Sequence, residues 1–67
     1  MSNDLTLAPN MDRPDDIHAD LLAAHEGLTK AESDALNARL ILILMNHIGR
    51  REVLGQALAA ARVPAKD

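Results

Sequence analysis

Cysteine, phenylalanine, tyrosine and tryptophan are all missing from this chain. Without cysteine there is no disulfide, no thiolate metal site and no dithiol redox motif, a pattern that fits a reducing compartment. Without aromatic rings there is no stacking platform for nucleic-acid bases, and none of the Tyr and Trp anchors that dominate many interfaces. Any partner must therefore be gripped by aliphatic packing and polar contacts. Glycine is scarce too, with three residues in the chain and no glycine-rich phosphate loop. The longest unbroken apolar run, Leu40 to Met45, falls far short of the roughly 18 residues that suggest a membrane span. Met1 to Asn10 has neither the basic start nor the apolar stretch of a signal or transit peptide. A soluble, cytoplasmic chain is the expectation.

What is present is a chain of 67 residues, 48% of them hydrophobic. One small domain of that size draws no more than about 3–5 kcal/mol of net stability from its own core. With disulfides excluded, a second subunit is the natural supplement. The net charge of -3 hides an asymmetry: residues 1–34 hold eight acids and two bases, residues 35–67 two acids and five bases. That division favours the first helix lying against the later ones, within one chain or between two, and disfavours phosphate binding near the N-terminus.

Residues 1–13 read as an arm in which Leu5 and Leu7 alternate with polar neighbours, the pattern of an extended or flexible segment. A first helix is expected over 14–27, because Pro14 suits the first turn and Asp15 and Asp16 complement the positive helix end. Ile17, Leu21, Ala24 and Leu28 share its apolar side. Thr29 with Glu32 three residues later makes a capping box for a second helix over 30–48, and Gly49 fits its C-cap. A third helix is expected over 50–62, stopped by Val63-Pro64, with a disordered tail at 63–67. The short links favour antiparallel neighbours, so the expected fold is all-α, a small three-helix bundle with an N-terminal arm and a helical domain over 14–62.

The middle helix makes the strongest demand. Stepping about 100° per residue, its apolar side chains sweep about 260° of the circumference and leave only the strip of Glu32, Arg39 and Asn46. Helices 1 and 3 each cover roughly a third of such a surface, so part of it is left for a partner or, in a self-sufficient monomeric bundle, for Leu5 and Leu7 of the arm. Asn37 and His47 project inside the apolar arc, Asn37 between Leu44 and Ile48 and His47 between Leu36 and Leu40, and each needs a hydrogen-bond partner if buried. The candidate partner-binding residues are Asn37, Leu40, Ile41, Leu44, His47 and Ile48. Asn37 also has a purely structural reading, as a polar pin that fixes the register of packed helices.

No metal is expected, because His18 and His25 lie seven residues apart on one helix, about 10 Å along its axis, and His47 belongs to another. No catalytic residue and no cofactor are expected either, since Asp15 and Asp16 are better explained as first-turn acids than as an acid–base pair. Helix 2, Gly49 and helix 3 can be read as a helix-turn-helix with Arg50 and Arg51 at its entry, but the third helix is mostly Ala, Leu and Val and the protein is acidic.

The segments "PDD" (Pro14 to Asp16), "AHEGL" (Ala24 to Leu28), "LNARL" (Leu36 to Leu40) and "NHIG" (Asn46 to Gly49) together resemble a family of short proteobacterial proteins classed as a domain of unknown function, over about residues 9–62. Ile17 and His18 depart from that pattern, which prefers aromatics after "PDD". The resemblance implies no established activity, and it singles out Asn37, Arg39, Asn46, His47 and Gly49 without assigning them roles. Genes of the family often lie near flavin-dependent oxidoreductases of aromatic degradation, which implies an accessory subunit of such an enzyme. The functional expectation is a non-enzymatic helical module, homodimeric or bound to a larger protein through helix 2, with a DNA-binding regulator as the alternative.

Overall fold

The computed structural model describes residues 5–62 and holds three α-helices: α1 Pro14–His25, α2 Lys30–Ile48 and α3 Arg51–Ala61. The expected tail at 63–67 and the first four residues of the arm lie outside the described residues. Pro14 opens α1, with Asp15 and Asp16 in its first turn. The preceding Arg13 adopts a left-handed backbone, φ 50°, which costs a residue with a side chain about 1–2 kcal/mol. Three contacts offset this. Its carbonyl accepts from the Asp16 and Ile17 N–H groups at 3.0 and 3.1 Å, and its guanidinium Nε meets the Asp16 carboxylate at 3.2 Å.

The helix stops two residues before the expected boundary, because Glu26 has already left helical geometry (ψ 130°) and Gly27 takes φ 80° to turn the chain toward α2. The capping box of α2 forms as its sequence predicts. The Glu32 N–H donates to Thr29 Oγ1 at 3.2 Å, and the Thr29 N–H donates to Glu32 Oε1 at 2.9 Å. At the other end Gly49, φ 71°, donates its N–H to the Met45 carbonyl at 2.8 Å. Its left-handed backbone ends α2 and starts a tight link, so α3 begins one residue later than expected, with Arg50 extended at its N-cap.

The packing is looser than a closed bundle. None of the described residues is buried. The radius of gyration is 14.2 Å, against about 11 Å for a compact chain of this length. The accessible surface is 6230 Å², against about 4100 Å² expected from the mass. Among the helix pairs, α2 and α3 pack most extensively. The arm reaches α3 at one point, where the half-buried Leu5 donates its N–H to Gln56 Oε1 at 2.6 Å, while Leu7 stays exposed. Among the described residues no helix is long and apolar enough to cross a membrane.

Candidate functional site

Helix α2 is the spine, and two apolar grooves run along it. The first, of about 500 Å³, lies between α1 and α2. Leu21 and Ala24 form its α1 wall and Leu36, Leu40 and Ile43 its α2 wall, with Asp20 and Arg39 lining it as well. The second, of about 300 Å³, lies between α2 and α3 and has no charged lining: Ile41, Leu44, Met45 and Ile48 face Leu54, Ala57, Leu58 and Ala61. Leu42 lines neither groove and is 63% exposed.

The predicted site residues divide between these features. Leu40 is half-buried in the α1–α2 groove, while Ile41, Leu44 and Ile48 wall the α2–α3 groove. Asn37 finds its partner inside the chain: its Oδ1 lies 2.8 Å from His25 Nε2, joining the end of α1 to α2. His47 is exposed and makes no hydrogen bond to another described residue. Asn37 and His47 therefore do not act as a pair. Arg39 is exposed, in keeping with its place on the polar strip. It lines the α1–α2 groove, and the Glu32 carboxylate below it is engaged in the capping box.

The residue that the pattern underrated is His25. Its Nδ1 lies 2.8 Å from the Leu21 carbonyl and its Nε2 2.8 Å from the Asn37 amide oxygen. Both acceptors are oxygens, so this geometry is satisfied when both ring nitrogens carry a proton. The carbonyl of Leu21 first, and Asn37 second, raise the His25 pKa above its usual 6.5, and desolvation opposes them only in part. A signal was available in the sequence, since a histidine in the last helical turn sits among unpaired carbonyls at the negative end of the dipole. Its bond to Asn37 depends on the angle at which α1 meets α2, which no local pattern supplies.

Among the described residues no three His, Asp or Glu side chains gather as a metal site requires. The ion pairs found there are surface pairs close in sequence: Arg13 with Asp16, Lys30 with Asp34 at 2.9 Å, and Arg50 with Glu52 at 3.9 Å. Each is exposed and contributes at most about 1 kcal/mol.

The class defined by these features is a small all-α protein organised around one long apolar helix, which carries a histidine–asparagine link to α1 and an apolar groove on each side. The chain belongs to the family described as protein of unknown function DUF2783, whose model matches residues 5–63. That span takes in all four motif segments. No curated protein and no solved structure matches the chain.

Proposed function

We propose that this protein is a non-enzymatic protein-interaction module whose working surface is the exposed flank of α2. The observation that carries the reading is the state of that helix's apolar side chains. Of the thirteen large hydrophobic residues left exposed among the described residues, six lie on α2: Ile41, Leu42, Ile43, Leu44, Met45 and Ile48. Apolar surface left open on several sides of one helix marks a partner site in a folded protein and an aggregation hazard otherwise. Area uncovered at this level leaves little hydrophobic stabilisation for a solitary chain, at roughly 25 cal/mol per Å² buried. A covering partner therefore contributes to folding as well as to function.

An accessory role beside a larger oxidoreductase is the client-binding form of this reading, and the same surface serves it. The DNA-binding alternative has less support. An entering recognition helix needs polar side chains on its outer side, whereas α3 offers Gln56, whose Oε1 accepts from Leu5, Glu52, which pairs with Arg50, and the apolar Leu58.

The test is to follow the purified chain by sedimentation while probing it with an apolar fluorescent dye. Association, or dye binding by a monomer, is the expected result. A chain that stays monomeric at high micromolar concentration, binds no dye and unfolds cooperatively overturns the reading.

A further inference from the structure

The α1–α2 groove places an acid, a base and exposed apolar side chains side by side, and from this we infer that its occupant is a second copy of this chain, the two related by a twofold axis and each setting the Arg39–Ile43 flank of α2 against the other's groove. This inference rests on the interaction-module reading and names its partner.

Three observations support it. Ile43 and Arg39 stand one helical turn apart on α2, so they project from the same flank, and both line the groove. Ile43 is 63% exposed, an apolar knob beside an apolar slot walled by Leu21, Ala24 and Leu40. Next, Asp20 and Arg39 line the same groove from opposite helices, yet neither lies within ion-pair distance of an opposite charge among the described residues. In a twofold interface the contact of residue i with j is repeated as j with i, so one arrangement places each Asp20 against Arg39 of the other copy. The division of charge between residues 1–34 and 35–67 has the same sense.

The third observation is area. The chain exposes 6230 Å², about 2100 Å² more than the size scaling gives for its mass. Uncovered surface of that extent leaves room for an interface of standard size, about 1600 Å² in total. The closed dimer also supplies the second subunit that a cysteine-free domain of this length calls for.

Sedimentation equilibrium of the full chain is the experiment, with three variants. Wild type is expected to dimerise with a dissociation constant in the micromolar range or below. Ile43→Asp places a charge in the seam and should raise that constant by about a hundredfold or more. Met11→Asp, equally exposed but lining neither groove, should leave it unchanged. Asp20→Arg and Arg39→Asp should each weaken self-association by about tenfold, and an equimolar mixture of the two should form a heterodimer of near wild-type affinity. The mixture is decisive because it restores pairs only between chains, whereas an Asp20–Arg39 attraction within one chain stays broken in both variants. A wild-type monomer that binds apolar dye overturns the second-copy inference and leaves the interaction module standing. A wild-type monomer without dye binding overturns both. A dimer indifferent to Ile43→Asp and to the charge-swapped mixture overturns the seam proposed here.

Discussion

The two junctions along α2 are held by different physics. Between α2 and α3 the contact is wholly apolar, follows directly from the Gly49 turn and leaves a groove of about 300 Å³. Between α1 and α2 the groove is about 500 Å³, carries an acid and a base, and is bridged by one hydrogen bond from His25 to Asn37. Apolar packing is non-directional and tolerates small shifts, while a hydrogen bond fixes geometry and weakens steeply when misaligned. Helix α3 is thus fastened by area, and α1 by a pin with vacant apolar surface beside it. Helices of 11 and 12 residues are marginal by themselves in water, so each depends on its own kind of attachment.

Breaking the apolar junction should cost most. Leu54→Ala removes a half-buried side chain from the α2–α3 groove and should destabilise the chain by about 2 kcal/mol, the low end of the range for core leucines. Amide exchange should show α3 losing protection while α1 keeps its own. Thr29→Ala acts on the other side, where the capping box holds the start of α2 just after the link from α1. A loss of about 1 kcal/mol is expected in urea unfolding, with fraying confined to the first turns of α2 and the end of α1. Gly55→Ala should sharpen the contrast instead. Gly55 lies inside α3 and an added Cβ there meets nothing within 4 Å, so alanine should stabilise α3 by about 0.5–1 kcal/mol.

The smallest effect separates the junctions most cleanly, because only one of them titrates. A folded-state pKa raised above 6.5 at His25 means that its stabilisation is complete below about pH 6.5, where the ring is protonated folded or unfolded, and is lost as the pH climbs through the raised value. Exchange-corrected protection of α1 should therefore fall as the pH rises above 6.5 while that of α3 does not change. Asn37→Ala should bring the His25 pKa, read by NMR, back toward its ordinary value and flatten the α1 profile. An α1 profile already flat in the wild type would show that the pin contributes nothing to docking.

Much of this was legible before any coordinates. Pro14, the Thr29–Glu32 box and Gly49 announced the starts and stops of the helices, because capping is a matter of a few adjacent backbone groups. The errors were of one or two residues and came at the ends without side-chain caps, Glu26–Gly27, Arg50 and Arg62. The apolar arc of α2 was equally plain, and with it the expectation that part of the helix lacks cover. The projection puts Arg39 on an exposed strip, as found, but not beside α1, since it records direction and not which neighbour leans in from that side. His25 was read only as a metal candidate and passed over as such, since its partner stands 12 residues away on another helix.

The sequence by itself determined the three helices, their links and the breadth of apolar surface on α2, all of which follow from propensities, caps and a 3.6-residue period that act locally. Only the tertiary structure decided which side of α2 each short helix covers, that Asn37 is satisfied by His25, and that Asp20 and Arg39 share a groove without meeting. Those outcomes depend on the angles between helices. Such angles arise from many weak contacts acting together, and no short stretch of sequence encodes them.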